Sequence, residues 1–186
     1  MPLMNKTVAI GKVVGNVQLG DAPEQNIDSA INEVLKLIAH NDFEPSNRNR
    51  TPSADTIEKI KHNQLQGKSA IIRQYLKHSK KVESSFSTID STIPFGKAKV
   101  LNNLNDLYYE ALDFVEIDYF TGDIDIEEIK QNSCLIIEFI IEKLKNTAYA
   151  SKNKPSLKED LDLGINVVVA HAFIECVILE NPLCCQ

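Results

Sequence analysis

The most constraining stretch of this chain is residues 165–179, INVVVAHAFIECVIL, where only Asn166, His171 and Glu175 break the apolar character. As a helix it would run roughly 22 Å at about 1.5 Å per residue, short for a bilayer core and interrupted by polar groups. A helix apolar on nearly every side has to be wrapped by other elements. The stretch is therefore expected to be the central helix of a small bundle. Asn181-Pro182 is its expected stop, because proline disfavours α geometry in the residue before it.

The chain has 186 residues, enough for one domain with an appendage and a real core. Ile27, Ala30, Ile31, Val34, Leu35 and Ile38 recur at helical spacing. Residues 43–53, polar and holding both Pro45 and Pro52, read as a linker. The expected organisation is an N-terminal region over 1–50 and a helical bundle domain over 51–186.

Within the bundle, a short helix is expected over 56–66, with Ser53 or Asp55 as cap and Gly67 as stop. A second helix spans about 70–90 from a Ser69 cap, with Ile72, Tyr75, Leu76, Val82, Phe86 and Ile89 on its apolar side. A third, about 97–116, carries the most regular stripe: Val100, Leu101, Leu104, Leu107, Tyr108, Ala111, Leu112 and Val115. A fourth opens at Asp125, with Glu128 at capping-box spacing, and runs to about Leu144. Its expected core face holds Ile129, Leu135, Ile136, Phe139, Ile140 and Ile141. The fold class is thus all-α, a bundle of about five helices preceded by one helix. A short β-like arm stands at residues 7–19, where Val and Ile alternate with small or polar residues.

The net charge of −6 argues against nucleic-acid binding by bulk electrostatics, yet the charge is unevenly spread. Residues 56–100 carry nine Lys/Arg against three Asp/Glu, and residues 106–128 carry nine Asp/Glu and no Lys or Arg. Such polarity can steer a partner; it can also mark two solvated helix faces lying side by side. Cys134, Cys176, Cys184 and Cys185 match neither a disulfide framework nor a zinc spacing, and Cys134 and Cys176 read as small hydrophobes. With an opening that lacks a sustained apolar run, the expected compartment is a reducing cytoplasm.

Catalytic patterns fail one by one. Gly11-Lys12 lacks the upstream glycine and the following Ser or Thr of a phosphate loop. Calcium-loop registers from Asp113 and Asp118 place Val115 and Phe120 where oxygen ligands belong. Asp123, Asp125, Glu127 and Glu128 could hold magnesium only beside a suitably placed lysine, and the helix dipole accounts for carboxylates at a helix start without a metal. His171 and Glu175, one helical turn apart, suit proton transfer, but equally a single polar stripe on a core helix. The expectation is no enzyme, no cofactor and no metal.

A resemblance supplies what the residue chemistry does not. The run Lys59-Ile60-Lys61-His62-Asn63-Gln64-Leu65, the helix opening Ile71-Ile72-Arg73-Gln74-Tyr75, the segment Val100–Tyr108 (VLNNLNDLY) and the close through Ala172-Phe173-Ile174-Glu175-Cys176 to Glu180-Asn181-Pro182 carry it. Over about residues 55–182 the chain resembles the C-terminal domains of ABC-three-component systems, bacterial conflict systems related to Lamassu antiviral defence. There an effector is encoded beside an SMC-like ABC ATPase and a small middle component, and the domain couples them. No matched position is catalytic, and the fifty or so residues ahead of the linker are too few for an ordinary nuclease or protease.

The resemblance implies a non-enzymatic adaptor whose partners are an SMC-like ATPase and a small middle component. Nucleic acid would be reached indirectly, no membrane is expected, and a homo-oligomer remains compatible. The expected docking residues are Arg73, Lys77, Lys80 and Lys81 on the basic helix and Asp113, Glu116 and Asp118 in the acidic segment. Two alternatives stay open: a small nucleic-acid-binding regulator using helix 70–90, and a metal-dependent enzyme using segment 113–128.

Overall fold

A computed structural model of the chain describes residues 27–40, 53–119 and 125–179. The β-like arm, residues 43–52 of the expected linker, Asp123, Cys184, Cys185 and the Asn181-Pro182 stop lie outside the described residues. What is described is an all-α bundle. Helices α1 (Ala30–His40), α2 (Ala54–His62), α3 (Ser69–Thr92), α4 (Gly96–Phe114), α5 (Ile126–Ala150) and α6 (Lys158–Ile174) follow one another, with a single 3-10 turn, Leu65–Lys68, between α2 and α3.

The central helix is where the sequence puts it. From Val167 to Phe173 every residue of α6 is buried, and α6 packs against α1, α3, α4 and α5. Two consecutive turns with no exposed position require cover all round, as the apolar run demands. Its ends differ from expectation. The helix begins at Lys158, seven residues early, because Glu159 and Asp160 favour a helix start and Leu161 supplies a fully buried anchor. It also ends at Ile174, well before Pro182: Cys176 adopts φ 59° and the chain turns. The amide of Val177 donates to Ala172 O at 2.9 Å and that of Cys176 to Phe173 O at 3.3 Å, the paired bonds of a Schellman stop. Cys176 is consequently exposed and outside the helix, not a small hydrophobe within it.

The other helices follow their stripes with shifted ends. Helix α5 continues six residues past Leu144, and Ala148 is fully buried. Leu135, expected on its core face, is 49% exposed. The Ser53 hydroxyl caps α2 by accepting from Thr56 N, whereas Ser69 lies inside α3 and Lys68 precedes it without a side-chain cap. Helix α1, placed ahead of the linker on sequence, contributes Ile31, Val34, Leu35 and Ile38 to the same core as the rest. Asn153, after α5, holds its start: Oδ1 accepts from Ser29 N (2.8 Å), and Nδ2 donates to Ser29 O (2.9 Å) and Glu33 Oε1 (2.6 Å).

Gly96 makes the α3–α4 corner possible. A Cβ there would stand 2.8 Å from Ile89 Cγ1 and 2.9 Å from the Ile89 carbonyl oxygen, and a backbone oxygen in a helix cannot move aside. Gly67 is the contrast, since its Cβ would meet only Cys134 Sγ at 3.6 Å. We expect Gly96→Ala to lower unfolding free energy by about 1–3 kcal/mol through overpacking and Gly67→Ala to change it little, measured by denaturant titration.

Candidate protein-interaction site

The expected docking residues fall into two groups. Arg73, Lys77 and Lys80 are exposed on α3 and Lys81 is half-buried there, on the side away from Ile72, Tyr75, Val82 and Phe86. Asp113 closes the exposed side of α4, and Glu116 and Asp118 follow it, all three exposed. The structure thus assembles each set separately, one along a helix and one at a helix terminus.

The C-terminal end of α4 departs from local rules three times. First, residues 106–119 hold Asp106, Glu110, Asp113, Glu116 and Asp118 with no Lys or Arg, and the last turn of α4 has no basic residue. Asp113, in the last turn, faces the negative end of the helix dipole, an unfavourable placement for a carboxylate. Second, the stop is a Schellman motif in which Ile117 N donates to Leu112 O (3.0 Å) and Glu116 N to Asp113 O (3.1 Å). Its left-handed position, the usual place for glycine, is held by Glu116 at φ 60°. Third, Phe114 is 61% exposed, stacked on Phe139 of α5 with ring centroids 5.0 Å apart instead of being buried.

Lys143 bridges this face: its Nζ donates to Glu110 Oε2 at 3.0 Å and lies 5.0 Å from the Phe139 ring centroid. Sequence reasoning missed Phe114 and Leu135 as exposed residues because both sit near apolar stripe positions, whereas Phe139, expected on the core face, is half-buried and packs against the core. The signal that could have found the two exposed residues is their excess over the stripe a helix packed on one side needs.

The histidines belong elsewhere. His171 is buried, shares a 3.2 Å hydrogen bond through Nδ1 with Tyr75 Oη, and stacks on Phe86 with centroids 4.9 Å apart. Its Nε2 has no hydrogen-bond partner among the described residues. Glu175, expected to share a polar stripe with it, caps the helix and is exposed, with its amide bonded to His171 O at 2.9 Å. Burial, with Glu83 and Glu175 adding to it, pushes the Tyr75 phenol up to about 12, so it stays protonated. Burial lowers the His171 pKa below 6.5, partly opposed by Glu175 and reinforced by Lys97.

Among the carboxylates of the magnesium reading, Asp125 serves as the N-cap of α5, accepting from Glu127 N at 3.0 Å and Glu128 N at 3.2 Å. Among the described residues, no three His, Cys, Asp or Glu side chains converge as a metal-ligand set. No helix among them is long and apolar enough to cross a membrane.

Two measurements follow from this geometry. Replacing Glu116 by glycine removes the left-handed strain, so Glu116→Gly should raise unfolding free energy by about 1 kcal/mol in a thermal or denaturant melt. Burial disfavours the charged form of His171 in the folded chain, and His78 shifts the same way through burial with Lys81 and Lys77 nearby. The unfolded chain therefore takes up protons near pH 6.5 where the folded chain does not. Stability is full above that value and falls as pH drops through it towards the lowered folded pKa values. Denaturant titrations at successive pH values should show this fall, and His171→Gln should flatten it.

Residues 29–180 match the family of C-terminal domain 10 of the ABC-three component (ABC-3C) systems. No curated protein and no solved structure matches the chain.

Proposed function

The chain belongs to the family of C-terminal domain 10 of the ABC-three component systems, and on that premise we propose that it is a non-enzymatic adaptor in a bacterial antiviral-defence assembly. Its companions in this reading are an SMC-like ABC ATPase and a small middle component in the cytoplasm, with nucleic acid reached through them. The observation that carries the reading is the surface. Cations line the exposed side of α3, while carboxylates at the α4 terminus adjoin the exposed Phe114 stacked on Phe139, at positions where stability alone would favour other residues. Patches of opposite charge on two different elements suit a protein that holds two partners at once, since charge complementarity sets encounter rate and orientation.

The test is reconstitution of the full chain with the two companion proteins encoded beside it. We expect co-elution in size-exclusion chromatography. Two triple variants, Lys77→Glu/Lys80→Glu/Lys81→Glu and Asp113→Lys/Glu116→Lys/Asp118→Lys, should each weaken one companion's binding by about tenfold or more. Unchanged assembly by both variants would remove the charged faces from the reading. A salt-dependent shift of duplex DNA by the chain alone would favour the nucleic-acid regulator instead.

A further inference from the structure

The α4–α5 seam carries one exposed apolar patch built from two helices. Phe114 at the end of α4 stacks on Phe139, and Leu135 lies one turn before Phe139 on α5, so the three share a face. Phe114 is 61% and Leu135 49% exposed, while Phe139 is half-buried and packs against the core, which fixes the floor of the patch. Its surroundings are anionic: Asp113 and Glu116 flank Phe114, and the nearby cation Lys143 is already bonded to Glu110. The carbonyl end of α4 adds partial negative charge at the same place.

We propose that this patch docks an amphipathic helical segment of a companion protein, with apolar anchors seated on Phe114, Leu135 and Phe139 and Lys or Arg side chains reaching Asp113 and Glu116. The inference rests on the adaptor reading and names the chemistry of one partner. An amphipathic helix presents anchors at i, i+3/4 and i+7, a spacing suited to a patch whose own residues lie a helical turn apart. A nucleic acid is disfavoured because its phosphates would meet carboxylates. A second copy of the chain is also a poor fit. The cationic side of α3 has no large exposed apolar residue among the described positions, and Phe95, beside Lys97 and Lys99, is a single knob on a turn.

The test uses the full chain and three synthetic peptides of about 20 residues, long enough to form a helix on binding. One places Leu at i, i+3, i+7 and i+10 with Lys and Arg on the flanking positions. Its twin carries Glu in place of the cations, and the third scrambles the first. Fluorescence anisotropy should show the basic amphipathic peptide binding at least about tenfold more tightly than either control, with affinity falling as salt is raised. Leu135→Glu and Phe114→Ser should each weaken it by about tenfold or more with circular dichroism and melting unchanged, because both side chains are exposed. Glu116→Gly should weaken it while raising the melting temperature.

Equal binding of the scrambled peptide, or undiminished binding by Leu135→Glu, would overturn the proposal. So would failure of the basic peptide to bind. A dimer in sedimentation that dissociates in Leu135→Glu would assign the patch to a second copy and overturn it as well. Assembly with the companions that persists in Leu135→Glu would reject this patch and leave the adaptor reading standing; no assembly by the unaltered chain would reject the adaptor reading itself.

Discussion

A helix buried on nearly every side needs neighbours to meet its polar groups, and much of this bundle is arranged to do that for α6. Asn166 Nδ2 donates to Gln74 Oε1 at 3.1 Å, and His171 bonds Tyr75, both partners on α3. The carbonyls left over at the C-terminal end also need partners. Lys59 of α2, itself buried, supplies the answer: its Nζ donates to Ile174 O at 2.6 Å and Phe173 O at 3.3 Å, and also contacts Cys176 Sγ. A charge-assisted hydrogen bond to a carbonyl contributes about 1.5–3 kcal/mol. A cation at a helix C-terminus gains further from the dipole. Helix α2 is short and largely polar, and this side chain ties it to the central helix.

Two helix stops in the bundle use the same hydrogen-bond pattern with a non-glycine residue in the left-handed position, but with different surroundings. At the end of α6, Cys176 takes that conformation beside a lysine that meets the free carbonyls, so the strain is offset locally. At the end of α4, Glu116 takes it among like charges at the negative end of a dipole. There the stop is held by the burial of Ile117, whose amide closes the turn on Leu112 O. A segment that is locally unfavourable and exposes a phenylalanine next to it is where an external partner would find both charge and apolar area to bind, which is why the interaction reading concentrates there.

The His171 cluster illustrates the opposite outcome. A histidine and a glutamate one helical turn apart invite a proton-transfer reading from sequence. In the folded chain the imidazole is stacked on Phe86 and bonded to Tyr75, and Glu175 is turned outward at the helix cap. Burial disfavours the charged forms of His171 and Tyr75. Its measurable consequence is a pH dependence of stability, and the polar groups serve the packing of α3 on α6.

By itself the sequence determined the all-α class, the central place of the 165–173 run and the apolar stripes of α3 and α4. It did so because helical periodicity and an apolar circumference are local properties that any compact packing must respect. Charge segregation between α3 and the segment after α4 was equally legible. The tertiary structure decided what depends on distant partners. Helix α6 ends at Ile174 because Lys59, 115 residues away in the chain, meets its carbonyls and Cys176 turns the backbone. Helix α1 joins the common core because Asn153 clasps its start and Leu35 packs where Gly164 leaves room; a Cβ on Gly164 would stand 2.7 Å from Leu35 Cδ2. Leu135 and Phe114 remain exposed because no described element covers the α4–α5 seam. A stripe in sequence says which residues can be buried, but only the number and placement of neighbouring helices decides which of them are.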